Sequence, residues 1–244
     1  MTFTQALGLA LVFALAGGVK GITGMGLPTV VVSLLGLWMA PAQVAALLVA
    51  PSLATNLTQC RGPHGRMLVA KLWPMWLCLV GVTVLAPELG TRAAIGLTPN
   101  QLLGAVLVVY GTWGLWRPAL PDLSQRSRWI GAAVGATTGW LAATTAVFAM
   151  PLAPYLQTLK LDKNEMVQAL GLSFTVATLA LAARLQASST LDLFSWSVLL
   201  AIAAAFAGLA FGTHLRARLS GPAFQKALFL TFIGLGAANL LRGL

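Results

Sequence analysis

The residues best suited to chemistry gather in one short run, Gly17-Gly18-Val19-Lys20-Gly21-Ile22-Thr23-Gly24-Met25-Gly26-Leu27-Pro28. Glycine permits positive φ and close backbone approach, and Pro28 has no N–H, so a regular helix is expected to break here. Helix ends exposed by such a break carry unpaired N–H groups and a partial positive charge, which lets apolar surroundings hold an anion. Lys20 stands beside the break as the only charge in the first 60 residues. Its ammonium would complement an anion if buried; otherwise its stem would snorkel to a nearby surface. Lys20, Gly21, Thr23, Gly24 and Gly26 are therefore candidate ligand contacts. The competing role for the glycines, Gly17 and Gly21 above all, is close helix packing.

A second run, Gly135-Ala136-Thr137-Thr138-Gly139-Trp140, leads to Thr144 and Thr145 and then to Pro151 and Pro154. Glycines thin out here and hydroxyls replace them. Gly139, Thr144 and Thr145 join the candidates as possible donors to an oxyanion, the alternative for the threonines being a bond back to their own helix. Each run is followed by an apolar segment with polar positions: Pro51, Ser52, Thr55 and Asn56 after the first, Ser173, Thr175 and Thr178 after the second. Of these Ser52, Asn56 and Ser173 are candidate ligand contacts, because an amide or hydroxyl in hydrocarbon needs a partner.

The same inventory argues against catalysis. No Ser-His-Asp arrangement, no carboxylate inside an apolar run and no nucleotide-binding loop is present, so the chain is not expected to be an enzyme. His64 and His214 sit in basic connections without metal-ligand spacing, and Cys60 and Cys78 are isolated thiols. No metal and no cofactor is expected.

The elements that must position these residues are membrane helices. Of 244 residues, 58% are hydrophobic and 8% charged, against about 25% charged in a soluble domain. Apolar segments fall near 4–20, 28–39, 42–59, 70–87, 99–116, 129–146, 147–158, 165–183, 193–212 and 223–241. The connections between them are too short to fold outside the bilayer. Residues 1–19 lack a basic n-region and read as a retained first membrane segment. Thr98-Pro99-Asn100-Gln101 and Asp162 with Glu165 carry helix-start signals, and Ser220-Gly221-Pro222 opens another helix. The second and seventh segments are only about a dozen residues long, about 18 Å of helix against a core of about 30 Å. Each is then either part of a bent helix with its predecessor or the returning arm of a re-entrant hairpin.

The chain also repeats itself. Leu89-Gly90-Thr91, running through Thr98-Pro99 into a helix with Gly111, matches Phe211-Gly212-Thr213, running through Gly221-Pro222 into a helix with Gly234, half a chain length later. Gly17, Gly21 and Gly24 likewise match Gly135, Gly139 and Ala142. This predicts two fused membrane repeats, 1–120 and 121–244, divided in the Pro-rich, charged connection at 117–128. The net charge of +10 comes from 15 Lys or Arg and 5 Asp or Glu. With the short segments as hairpin arms, the basic connections 61–71, 117–128 and 214–226 all fall on one side. The positive-inside rule prefers this inverted arrangement, with those loops cytoplasmic and both chain ends outside. The expected fold is thus an all-α polytopic membrane protein with about six full crossings and two hairpins, or about eight bent crossings. Basic residues dispersed between apolar runs do not form a nucleic-acid-binding face.

The Lys20–Pro28 run, the Pro51-Ser52-Leu53-Ala54-Thr55-Asn56-Leu57 segment, the repeated second half and the Phe211-Gly212-Thr213 stretch leading to a helix with Gly234 together resemble the TauE/SafE family of membrane transporters, or sulfite exporters. The resemblance covers essentially the whole chain. It implies movement of sulfur-containing or organic anions, sulfite and sulfonates among them, across a bacterial cytoplasmic membrane, and it places the family's glycine motifs at Gly21, Gly24, Gly26 and at Gly135, Gly139. Ala142, Thr144 and Thr145 depart from the usual second-half pattern, where further glycines are common. The expected function is secondary transport of a small anion, export favoured, with the lipid bilayer as surroundings and a coupling ion as a possible partner. The alternative is a non-transporting membrane scaffold or accessory subunit.

Overall fold

A computed structural model of the chain describes residues 3–86, 98–116, 121–123, 127–187, 195–216 and 221–242. The described residues form ten helices: α1 (Phe3–Thr23), α2 (Leu27–Leu35), α3 (Pro41–Cys60), α4 (Gly65–Leu85), α5 (Pro99–Trp116), α6 (Ser127–Thr145), α7 (Leu152–Thr158), α8 (Lys163–Ala187), α9 (Trp196–Arg216) and α10 (Gly221–Arg242). The Leu89-Gly90-Thr91 stretch and most of the expected boundary at 117–128 lie outside the described residues.

The start signals act as their chemistry requires. Thr98 and Gln101 form a reciprocal capping box, each side chain accepting from the other's backbone N–H. Asp162 accepts from the Glu165 N–H at 2.8 Å while Glu165 accepts from the Asp162 N–H at 3.0 Å, opening α8 with two otherwise orphan donors satisfied.

Among the described residues, four helices, α1, α4, α8 and α9, are both long and apolar enough to cross a membrane. Their outward faces are apolar: Leu7, Leu11 and Leu15 recur every fourth residue along α1, each at least half exposed. The opposite stripe, Leu9, Phe13, Ala16 and Lys20, is buried. A stripe of exposed leucine is an aggregation hazard in water and an ordinary surface in lipid.

Both short helices double back. A Cβ on Gly26 would stand 3.3 Å from Val19 Cγ1, a proximity that a continuous helix cannot give residues seven apart. Gln5 and Leu9 from the start of α1, Leu35 at the end of α2 with Trp38 just beyond it, and Gln43 and Leu47 from the start of α3 line one cavity. Thus α2 returns toward the end from which α1 begins, and α3 runs in the direction of α1. In the second half, Tyr155 of α7 lies against Gly131 near the start of α6. The Leu123 N–H, just ahead of α6, donates to the Thr158 carbonyl at the end of α7. So α7 retraces α6 as α2 retraces α1.

Contacts between distant helices fix their directions. Gln168, near the start of α8, donates from Nε2 to the carbonyls of Cys60 and Gly62 at the end of α3, and its Oε1 accepts from the His64 N–H. At the other end of α8, Arg184 donates to the carbonyls of Thr83 and Ala86 at the end of α4. Hence α1 and α3 run one way, and α6 and α8 run the other.

Small residues set the closest helix pairs. A Cβ on Gly21 would lie 2.5 Å from the Leu209 carbonyl oxygen of α9, and one on Gly139 would lie 2.5 Å from that of Leu79 on α4. Gly17 and Gly135, one turn earlier, meet the backbones of Ala205 and Met75 in the same manner. Gly104 of α5 and Gly236 of α10 face each other's carbonyls. With no side chain between them, the backbones approach to the distance that dispersion contacts favour in a bilayer.

Candidate functional site

The glycine run breaks the helix at Gly24-Met25-Gly26. Gly24 has φ 83° and Gly26 φ 102°, values that only glycine adopts without strain. Thr23 steadies the turn: its hydroxyl lies within bonding distance of the Val19 and Met25 carbonyls and accepts from the Met25 N–H. The freed Gly24 carbonyl accepts from Gln59 Nε2 at 2.8 Å. Tyr110 of α5 donates its hydroxyl to the Met25 sulfur. The break is thus held from α3 and α5.

Lys20, one turn before the break, is 2% exposed. It does not snorkel. Its ammonium donates to Thr55 Oγ1 at 3.0 Å and to Asn56 Oδ1. The Thr55 hydroxyl proton goes to its own helix, to the Pro51 carbonyl at 2.8 Å. Among the described residues, the acidic side chain within a helix is Glu165, in the first turn of α8, where it lies 3.7 Å from His64. The buried ammonium is therefore met by neutral oxygens.

Around it lie polar atoms with no hydrogen-bond partner. On α3, Ser52 Oγ, Asn56 Nδ2 and Gln59 Oε1 are buried and unbonded. Ser52, Asn56 and Gln59 fall at i, i+4 and i+7, one face of α3. Each buried unbonded donor costs about 1–3 kcal/mol, a deficit that an acceptor-rich guest would relieve.

The structure brings Lys20, Thr23, Gly24, Gly26, Ser52 and Asn56 into one region, joined through α3. It does not extend that cluster by hydrogen bonds to the second-half candidates. Gly21 and Gly139 face the backbones of α9 and α4, so helix packing accounts for them. Thr144 Oγ1 bonds back to Trp140 O at 2.9 Å, and Thr145 Oγ1 donates to Leu141 O at 2.7 Å while accepting from the Val147 N–H. They shape the second break, where Ala146 has φ 57°. Ser173 accepts from Trp76 Nε1 of α4 at 2.9 Å. Thr55 was marked as a polar position but not as a candidate contact, and Gln59 was not singled out by sequence reasoning. Gln59 was within reach of it, one turn beyond Asn56 on the same face.

A bundle of apolar-faced helices, two of them short and folded back, around a buried ammonium without a carboxylate, is a polytopic α-helical membrane protein built to accommodate charge in its interior. The chain matches the family described as Sulfite exporter TauE/SafE over residues 9–240. It belongs to that family, whose members are membrane transporters. No curated protein and no solved structure matches the chain.

Proposed function

We propose that this protein is a secondary transporter of small organic or sulfur-containing anions, sulfonates and sulfite among them, in the bacterial cytoplasmic membrane, working chiefly as an exporter. The observation that carries the reading is Lys20: a buried ammonium that, among the described residues, bonds only to Thr55 and Asn56, beside the unbonded Ser52 Oγ and Asn56 Nδ2. A buried unpaired charge is expensive, and a bound anion supplies the missing partner.

The opposed directions of α1 and α3 against α6 and α8 support two inverted units, 1–120 and 121–244, that open alternately to the two sides. The basic connections then face the cytoplasm. A negative-inside potential drives an anion outward with about 2.3 kcal/mol per charge per 100 mV, so export proceeds without a dedicated coupling ion. In this arrangement Thr144 and Thr145 build the second break, which gates the far side, while Gly139 sets the close approach of α6 to α4.

Flux in liposomes tests the reading. The purified chain should carry members of a sulfite, sulfonate and carboxylate panel with saturable kinetics. Unsaturable flux would indicate a channel. Absence of both flux and binding by folded protein would leave the scaffold role.

A further inference from the structure

We propose that the Lys20 site selects by charge number: it accepts monoanions whose single charge is spread over two or three oxygens, such as carboxylates, sulfonates and sulfite in its singly charged hydrogensulfite form, and rejects dianionic oxyanions of the same shape. The proposal rests on the reading of Lys20 as the anion site and deepens it. Among the described residues the site has one formal charge, Lys20. Its other polar groups, Ser52, Thr55, Asn56 and Gln59, are neutral, and the other buried cation among the described residues, Arg184, is held at the opposite end of the bundle, where it donates to the carbonyls of Thr83 and Ala86.

The energetic argument is one of scaling. The cost of moving an ion from water into an apolar interior rises with the square of its charge, whereas attraction to one ammonium rises only in proportion. A monoanion against Lys20 makes a neutral pair. A dianion pays a fourfold desolvation for a twofold attraction and leaves a net negative charge among apolar helices. The neutral donors point the same way. Asn56 Nδ2 offers two protons and Ser52 Oγ one, suited to oxygens sharing a single charge rather than to neutralising a second. One turn beyond, the unbonded Gln59 Oε1 presents lone pairs that repel additional negative charge.

The test uses two tetrahedral sulfur oxyanions that differ in charge. The full chain in nanodiscs is titrated by calorimetry with methanesulfonate and with sulfate at matched ionic strength. Methanesulfonate should bind at least about tenfold more tightly, about 1.4 kcal/mol. Equal affinity, or tighter sulfate, overturns charge selection while leaving Lys20 as an anion site. Binding of neither anion overturns both. Asn56→Asp places a carboxylate against the ammonium and should weaken methanesulfonate by more than about tenfold; unchanged affinity in a folded N56D protein overturns the assignment to Lys20. Ser52→Ala removes a neutral donor, so it should weaken both anions and preserve their ratio. A ratio that collapses in S52A would show that donor geometry, not charge, sets the preference.

Discussion

Lys20 donates to the side-chain oxygen of Asn56, and that contact leaves the Asn56 NH2 group buried without an acceptor. The two residues come from helices separated by the returning arm α2, and each meets only part of the other's bonding capacity. Replacing Lys20 with Met removes the charge and keeps most of the volume. Anion flux should fall to background, while Tm stays the same or rises by up to about 4 °C, because an unpaired buried charge is lost. Flux assays and thermal unfolding in detergent check both halves of this expectation.

Gly26 provides a backbone test. At φ 102° and with Val19 Cγ1 at 3.3 Å from a built Cβ, Gly26→Ala should destabilise the protein by about 1–3 kcal/mol. It should also slow transport by altering the α1–α2 turn. Unchanged stability and flux would show that the turn tolerates another conformation.

The α1–α9 contact provides a packing test with an internal control. Gly21→Leu drives a side chain into the Leu209 carbonyl and should cost about 3 kcal/mol or more. Gly8, on the same helix, has nothing within 4 Å of a built Cβ. Gly8→Ala should therefore leave stability unchanged or raise it by up to about 1 kcal/mol. Thermal unfolding of the two variants side by side separates local packing from general intolerance of α1.

Gln168 joins the start of α8 to the α3–α4 turn through three hydrogen bonds. Gln168→Ala leaves the Cys60 and Gly62 carbonyls and the His64 N–H without that partner. The expected loss is about 2–3 kcal/mol. Amide exchange should rise first at residues 61–65, ahead of the helices on either side.

Topology is open to labelling. With Cys60 and Cys78 replaced, single cysteines at Asp122 and His214, both exposed, should react with an impermeant reagent from the same side of the membrane. Labelling from opposite sides would overturn the inverted arrangement.

What could be read from the sequence was local. The break at Gly24–Gly26 followed from glycine and proline chemistry, and the shortness of α2 and α7 from a length too small to span hydrocarbon. The capping boxes at Thr98 and Asp162 were visible as spacings. Whether the short segments bend or return was not, since that depends on contacts such as Gly26 with Val19 and Tyr155 with Gly131. Lys20 and Asn56 were each conspicuous as polar groups in apolar runs, but their pairing required the register of α1 against α3. Gly21 and Gly139 show the converse limit: the residue type fits either ligand approach or helix approach, and only the neighbouring carbonyls of Leu209 and Leu79 distinguish them. Arg184 and Gln168 escaped notice because the partners described above are backbone groups about a hundred residues away, which carry no signature in side-chain sequence.

The polar face of α3 has a mechanical consequence. Ser52, Asn56 and Gln59 belong to one helical rod, the part of α3 past its internal Pro51, with the Thr55 hydroxyl beside them. A turn of that rod about its own axis would carry the whole set away from α1 together, rather than one contact at a time. Loading and unloading would then share a single moving part, and the affinity of the interior would change as a step.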